Sequence, residues 1–436
     1  MIAVFIVVGL TTAVKGGAKK DIEVCKVEKV KPSDEKKTEE DGTEEGEKDK
    51  EGQDVKLDDP NIRVLIMTNG FRAVTHSQVN LTADSGMVVT YGKEEKEYSK
   101  RKTLKFEPDH KWFKNGTVRV RAKKGRIKVK SIKRSYGVPA YDGVIELRST
   151  AEGIVIINEL PVEDYLCAVV PSEMPASYEP EALKAQAVCA RSYAYIHMKK
   201  YSYPEYEAHI NDSTRYQVYN NSKRAESSSK AVKETAGQVV RYKGNVVSTY
   251  FYSSSCGKTT TMEAWGTKPN KKNGYLYSAE VKGETGDYEK NLPWYRWSVT
   301  ASAKTMSNLI GLNTGKDIGT LENIEVTERG PGDVAIAMKA TGDKGSVTVK
   351  TENKIRKALG GSEYKIKRQD GSETGGRDLL PSAFFSVEKK GDKFVIKGGG
   401  FGHGIGMSQT GANEMAKQGK DYKDILTLFY KDITVG

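Results

Sequence analysis

Alternating apolar and polar positions dominate residues 61 to 150. The stretches IRVLIM, GTVRVRA, GRIKVKSI and GVIELRST are separated by Gly and Asn turns, and their period of two predicts strands. EGIVIINELPVEDYL adds another strand and then a helix start. The period changes in EPEALKAQAVCARSYAYIHMKK, residues 179 to 200. There Leu183, Ala187, Ala190, Ala194 and Met198 recur at spacings of three and four, which predicts a helix with one buried face. Ser177 is its expected cap, and Pro180 falls in the first turn, where a missing N–H costs little. After a short helix, GQVVRY and NVVSTYFYSSS read as strands, and Thr267 to Thr300 is loop-rich and aromatic. IEVTERG, DVAIAMKA and GSVTVKT are strands again, and NKIRKALG is a helix that stops at Gly360. KFVIKGGGFGHG is a strand running into glycines, and MSQTGANEMAKQG is the expected closing helix. Strands and helices mix without regular βαβ alternation, so the predicted fold class is α+β, arranged around a substrate groove.

The pattern fails at the N-terminal end. Residues 1–14 hold a short apolar run with lysines only after it, which reads as an export signal or membrane anchor. Residues 15–60 are charged throughout, as in SDEKKTEEDGTEEGEKDKEGQD, and bury too little apolar area to offset chain entropy. They are an expected disordered linker. The structured region is then 61–436, divided into a β-rich part (61–150) and a second part (151–436). The chain carries +12 overall. The linker has 11 Lys against 16 Asp and Glu, so the rest carries +17. A basic domain on a tether suits an acidic partner: nucleic acid, or, for an exported chain, the anionic bacterial cell wall. The four cysteines, Cys25, Cys167, Cys189 and Cys256, form no Cys-x-x-Cys pair, and the last three read as buried thiols.

The candidate chemistry centres on GGGFGHGIGMSQTGA. It lacks the register of a dinucleotide fingerprint, a Walker loop or a G-x-S-x-G elbow. What remains is bare backbone with His403, Gly404, Ser408 and Gln409, a composition able to line a groove for a hydroxyl-rich polymer. A lone His among glycines is more often a core residue, and its company decides the reading. VVPSEMPASYEPEALKAQAVCARSY places Glu173 in an expected rigid turn between Pro171 and Pro175, with Lys184 and Arg191 seven apart on one helical face beside Gln186. Such cations are commonly a surface ion-pair face. HINDSTRYQVYNNS supplies His209, Asp212 and Gln217, and YFYSSSCGKTT supplies Ser253 and Ser254, both weak signals alone.

NELPVEDYL, VVPSEMP, EALKAQAVCARSYA, STRYQVY, YFYSSSCGKT and GFGHGIGMSQTGA, in this order across roughly residues 60 to 436, together resemble the SpoIID family, which spans stage II sporulation protein D and the related amidase-enhancer domain. The resemblance implies an extracytoplasmic, membrane-anchored peptidoglycan lytic transglycosylase acting in engulfment or wall remodelling. Glu173 would be its catalytic acid, with Lys184 and Arg191 in the site. Gln186, Asp212, Gln217, Ser253, Ser254, His403, Gly404, Ser408 and Gln409 are then expected to bind glycan. The implied partners are peptidoglycan strands, with or without their stem peptides, and a cell-wall amidase, with the N-terminus on the membrane and no nucleic acid. Some members bind zinc through a His and cysteines. Here Tyr216 stands where they carry a Cys, and only His209 is left, so no metal and no cofactor are expected. Cys256 also replaces a common Gly.

A single acid suffices for such chemistry. The carboxylic acid protonates the glycosidic oxygen, and the resulting carboxylate takes a proton from the sugar's own C6 hydroxyl, which closes a 1,6-anhydro ring. The nucleophile is intramolecular, so no second carboxylate is needed to prepare water. Lys184, Arg191 and a nearby helix N-terminus would lower the pKa of Glu173 unless the cations face the substrate, the favoured reading, or desolvation by the bound glycan overcomes them. Three alternatives stand beside this: a non-catalytic glycan-binding enhancer of an amidase, a two-carboxylate hydrolase using Glu163, Asp164 or Asp212, and a nucleic-acid binder.

Overall fold

The computed structural model describes residues 60–436. The expected signal or anchor at 1–14 and almost all of the charged linker lie outside the described residues. An antiparallel hairpin sets the scaffold. Val144–Thr150 turns into Gly153–Pro161, and the latter is almost wholly buried because apolar residues occupy both of its faces. Around this hairpin a seven-stranded sheet runs in the order Ile210–Asn211, Asn61–Leu65, Gly153–Pro161, Val144–Thr150, Val118–Ala122, Met87–Tyr91 and Glu94–Tyr98. Its only parallel pair joins Ile210–Asn211 to Asn61–Leu65. The boundary drawn at 150/151 therefore falls in the turn of a hairpin, inside one sheet.

Helices α1 (Val162–Glu173) and α2 (Pro180–His197) follow directly, then α3 (Glu226–Glu234), α4 (Ala303–Thr314), α5 (Glu352–Ala358), α6 (Gln409–Lys417) and α7 (Tyr422–Phe429). The α+β class is as expected. Ser177 does not cap α2: Glu179 holds that place with no side-chain bond, and Pro180 occupies the first turn as read. The chain does not close with α6. YKDILTLF forms α7, capped by Asp421, and Ile433–Val435 then pairs with Val240–Tyr242. That last strand is too short to show a period.

A five-stranded sheet holds Glu373–Gly375, Lys365–Arg368, Trp297–Ser302, Lys393–Gly398 and Phe385–Lys390. Two short segments matter most for the site. Phe251–Tyr252 pairs in parallel with Met407–Ser408, which brings the Ser-rich strand end against the start of α6. α2 packs on α1, α3, α6 and α7, so one largely Ala-lined helix is the hub of this half of the fold.

Candidate functional site

Glu173 is the last residue of α1, not part of a turn before α2. Pro171 lies within the final helical turn. Met174 ends the helix in an extended conformation (φ −127°, ψ 140°), as a residue before proline prefers. Glu173 thus sits at a helix C-terminus, where the backbone dipole opposes a negative charge. Its side chain is 2% exposed. Oε1 accepts the Val218 N–H at 2.5 Å, and Oε2 is buried with no hydrogen-bond partner. Burial pushes the carboxyl up to about 8, partly offset by the Val218 N–H.

Neither expected cation contributes to that shift. Lys184 pairs with Glu181 at 2.8 Å and Glu234 at 3.0 Å. Arg191 is fully buried. It makes two 2.7 Å bonds to Glu163 and further bonds to the carbonyls of Gln238 and Val232. The seven-residue spacing is as read, but these residues join α2 to α1, to α3 and to the turn after α3. The tension over the pKa of Glu173 is removed with them.

The polar companions of Glu173 come from α2 and α6. Gln409 Nε2 donates to the Glu173 carbonyl and to Gln186 Oε1, both at 3.1 Å. Gln186 Nε2 is left buried without a partner. Two orphan polar atoms, one acceptor or acid and one donor, therefore flank the Gln409 bridge. Buried polar groups are normally satisfied, so this pair calls for a ligand or a function.

The residues on either side of Gln409 are held by a carboxylate that sequence reading missed. Glu289 is fully buried among hydroxyls. Its oxygens accept from Ser254 Oγ (2.9 Å), the Ser255 N–H (2.9 Å) and Ser408 Oγ (3.0 Å), and from the hydroxyls of Ser255 and Thr410. Burial raises its pKa, and those donors work against the rise. Ser408 also caps α6 by accepting the Gly411 N–H. Glu289 therefore ties the strand end at 254–255 to the residues on either side of Gln409. Nothing in GDYEKNLPWYRW marks this acid apart from its charged neighbours. Of the expected glycan-binding set, Ser254 and Ser408 face Glu289, and Ser253 offers its carbonyl to Thr410.

His403 and Gly404 make internal contacts. His403 is buried. Its Nε2–H donates to the Phe251 carbonyl at 3.0 Å and its Nδ1 accepts the Ile405 N–H, so the ring is neutral, with its pKa pushed by burial down to about 3. Gly404 has φ +82°, and a side chain there would strike the Phe384 ring. Gly402, at φ +126°, would put one 2.7 Å from Tyr252 Cβ. The space beside these two glycines is taken by aromatic side chains of this chain. Asp212 is likewise internal, bound to Arg134 and to the Met67 N–H. Gln217 accepts from Tyr165 and donates to the Ala190 carbonyl, bracing the floor of the site.

His209 accepts the Arg63 N–H through Nδ1 and stacks on Tyr201. Among the described residues no group of three or more His, Cys, Asp or Glu side chains is placed to hold a metal. Cys167, Cys189 and Cys256 are free thiols. The carboxylates considered as second acids are tied elsewhere or distant. Glu163 holds Arg191, Asp212 holds Arg134, and Asp164 lies nine residues from Glu173 on α1, about 14 Å along the axis.

A family model described as stage II sporulation protein (SpoIID) matches residues 150–242, and a domain of unknown function (DUF8618) matches 270–406. Stage II sporulation protein D of Bacillus amyloliquefaciens is 30% identical over 295 residues, covering 64% of this chain and 75% of that protein. Its namesake in Bacillus subtilis is 29% identical over 314 residues, 67% of this chain and 81% of that protein. The amidase enhancer of Bacillus subtilis is 27% identical over 297 residues, 62% of this chain and 40% of that longer protein.

Proposed function

Because this chain belongs to the SpoIID family, we propose that it is an extracytoplasmic peptidoglycan lytic transglycosylase with Glu173 as its single acid and base. The observation that carries this reading is the Glu173 carboxyl itself: buried, raised to about 8, and holding one oxygen that no protein group satisfies. At neutral pH that oxygen, Oε2, bears a proton. It passes to the oxygen linking N-acetylmuramic acid to N-acetylglucosamine, and the C1–O bond breaks. The carboxylate left behind is stabilised by the Val218 N–H. It then takes the proton from the C6 hydroxyl of the muramic acid as that oxygen bonds to C1, closing the anhydro ring and restoring the acid. The Gln186 amide, whose Nε2 has no partner, would donate to a sugar oxygen in this reading. Glu173 is enclosed, so a bound strand must part the side chains over Oε2.

The same likenesses keep a second reading in play. One relative is named an amidase enhancer, and a glycan-binding enhancer would use this fold without cutting. A role facing the wall is common to both readings. Anchoring through the N-terminus stays a proposal: no described helix is long and apolar enough to cross a membrane, and residues 1–14 lie outside the described residues.

The test is digestion of purified glycan strands, read by mass spectrometry across pH. Anhydro-ended products are expected, with a rate that holds below pH 8 and falls above it as Glu173 loses its proton. Reducing-ended products would make the chain a hydrolase. Binding without products would make it an enhancer.

A further inference from the structure

With Lys184 and Arg191 engaged in internal ion pairs, the cations available to an acidic ligand lie elsewhere. A cleft of about 390 Å³ opens between the segment after Ser255 and the sheets of the 270–406 region. Lys258, Arg296, Arg329 and Lys397 line it, against one acid, Asp333. Among the described residues Lys258, Arg296 and Lys397 form no ion pair with a carboxylate, and Glu280, which faces Lys258 across a β-bridge, is already paired with Lys282. Asp333 pairs with Arg329, so Lys258, Arg296 and Lys397 share the cleft without an acid, and an anion there relieves their repulsion.

The Arg296 guanidinium is held in place by backbone rather than by an acid. Arg296 Nη1 donates to the carbonyls of Cys256 (3.1 Å) and Tyr295 (2.7 Å), and the group lies 3.9 Å over the Tyr295 ring. Gly399 makes room for it: a Cβ there would sit 3.1 Å from Nη1 and 2.6 Å from Cys256 Cβ. Arg329 donates to the carbonyls of Asp333 and Phe385, both at 2.9 Å, and its Nε pairs with the Asp333 carboxylate at 3.6 Å. Carbonyls fix the Arg296 guanidinium without cancelling its charge, so its fork stays set for an oxyanion. The cleft is also tied to the catalytic region. Cys256 follows the two serines that bind Glu289, and Phe401, two residues after Gly399, exchanges backbone bonds with Ser254.

We propose that this cleft binds carboxylate groups carried by the wall strand on which Glu173 acts. The inference rests on the glycan-cleaving reading and gives the segment matched by the domain of unknown function a binding role. Carboxylates are favoured over phosphates because the strand presented to Glu173 carries them itself, on the lactyl ether of each muramic acid or on attached peptides. A groove along one polymer then needs no second ligand.

The experiment is co-sedimentation of the full chain with insoluble wall sacculi freed of phosphate polymers, at low salt. The Lys258→Glu/Lys397→Glu variant changes only exposed side chains without ion-pair partners, and Arg296→Ala is a second probe. Binding about tenfold weaker than wild type is expected for each, with unchanged thermal unfolding. Amidating the carboxylates of the sacculi should weaken wild-type binding to the same degree and leave the double variant unaffected. Retention on peptide-free strands assigns the lactyl groups, and loss there assigns the peptide carboxylates. Variants that bind like wild type, or indifference to amidation, overturn the proposal. So does binding that requires the phosphate polymers to be left in place. Sedimentation does not depend on bond cleavage, so a chain that binds carboxylates but yields no anhydro product refutes the enzyme alone.

Discussion

A Glu173→Gln chain is expected to release anhydro-ended product roughly 10³-fold more slowly than wild type, the scale of losing a positioned general acid. The substitution is close to isosteric: the amide oxygen still accepts the Val218 N–H, and the amide nitrogen takes the place of Oε2. The same variant should be more stable than wild type at alkaline pH. The carboxyl titrates at about 8 when folded, against 4.5 for a glutamate free in water. Its stabilising contribution is therefore fully present below about 4.5 and is lost as pH rises towards 8, because the unfolded chain sheds a proton that the folded chain retains. Gln sheds none. Chemical denaturation should show the variant gaining on wild type by roughly a few kcal/mol between pH 5 and 8. Equal product from the variant would remove Glu173 from the chemistry, and parallel stability curves would show that its carboxyl is not held as an acid.

Glu289→Ala should cost about 3 kcal/mol of unfolding free energy. Removing the carboxylate strands the hydroxyls of Ser254, Ser255, Ser408 and Thr410, together with the Ser255 N–H, around a cavity that no apolar group fills. The loss is not larger because the hydroxyls can turn towards one another, and because burying Glu289 was itself costly with no cation among its bonded partners. Activity should fall further than stability, since Gln409 stands between two of those hydroxyls and carries the bridge to Glu173 and Gln186. Glu289→Gln, which keeps one acceptor oxygen, should recover most of the stability. An Ala variant as stable as wild type would show that the hydroxyl cage is incidental.

The parts of the fold legible in the sequence are those with local causes. The periods in 61–150 and 179–200 gave strands and a helix because burial on one face imposes a period of two or 3.6. Glu173 stood out because prolines on both sides restrict its backbone, although they end a helix instead of forming a turn. The misreadings share one origin: the partner lies far along the chain. Nothing near His403 says that Phe384 and Tyr252 fill the space between its glycines. Lys184 and Arg191 do share a face of α2. That Arg191 turns inward depends on Glu163, at the start of a different helix. Glu289 was invisible because its meaning comes from serines about 35 residues before it and hydroxyls about 120 after it.

Infrared difference spectroscopy between wild type and Glu173→Gln tests the central claim most directly, by reading the protonation of that one carboxyl in the folded chain. The expected result is a carboxylic-acid carbonyl band at pH 6, present only in wild type and fading with a midpoint near pH 8. A carboxylate band at pH 6, or a midpoint near 4.5, would show that Glu173 has no proton to give at neutral pH and would contradict its role as the acid.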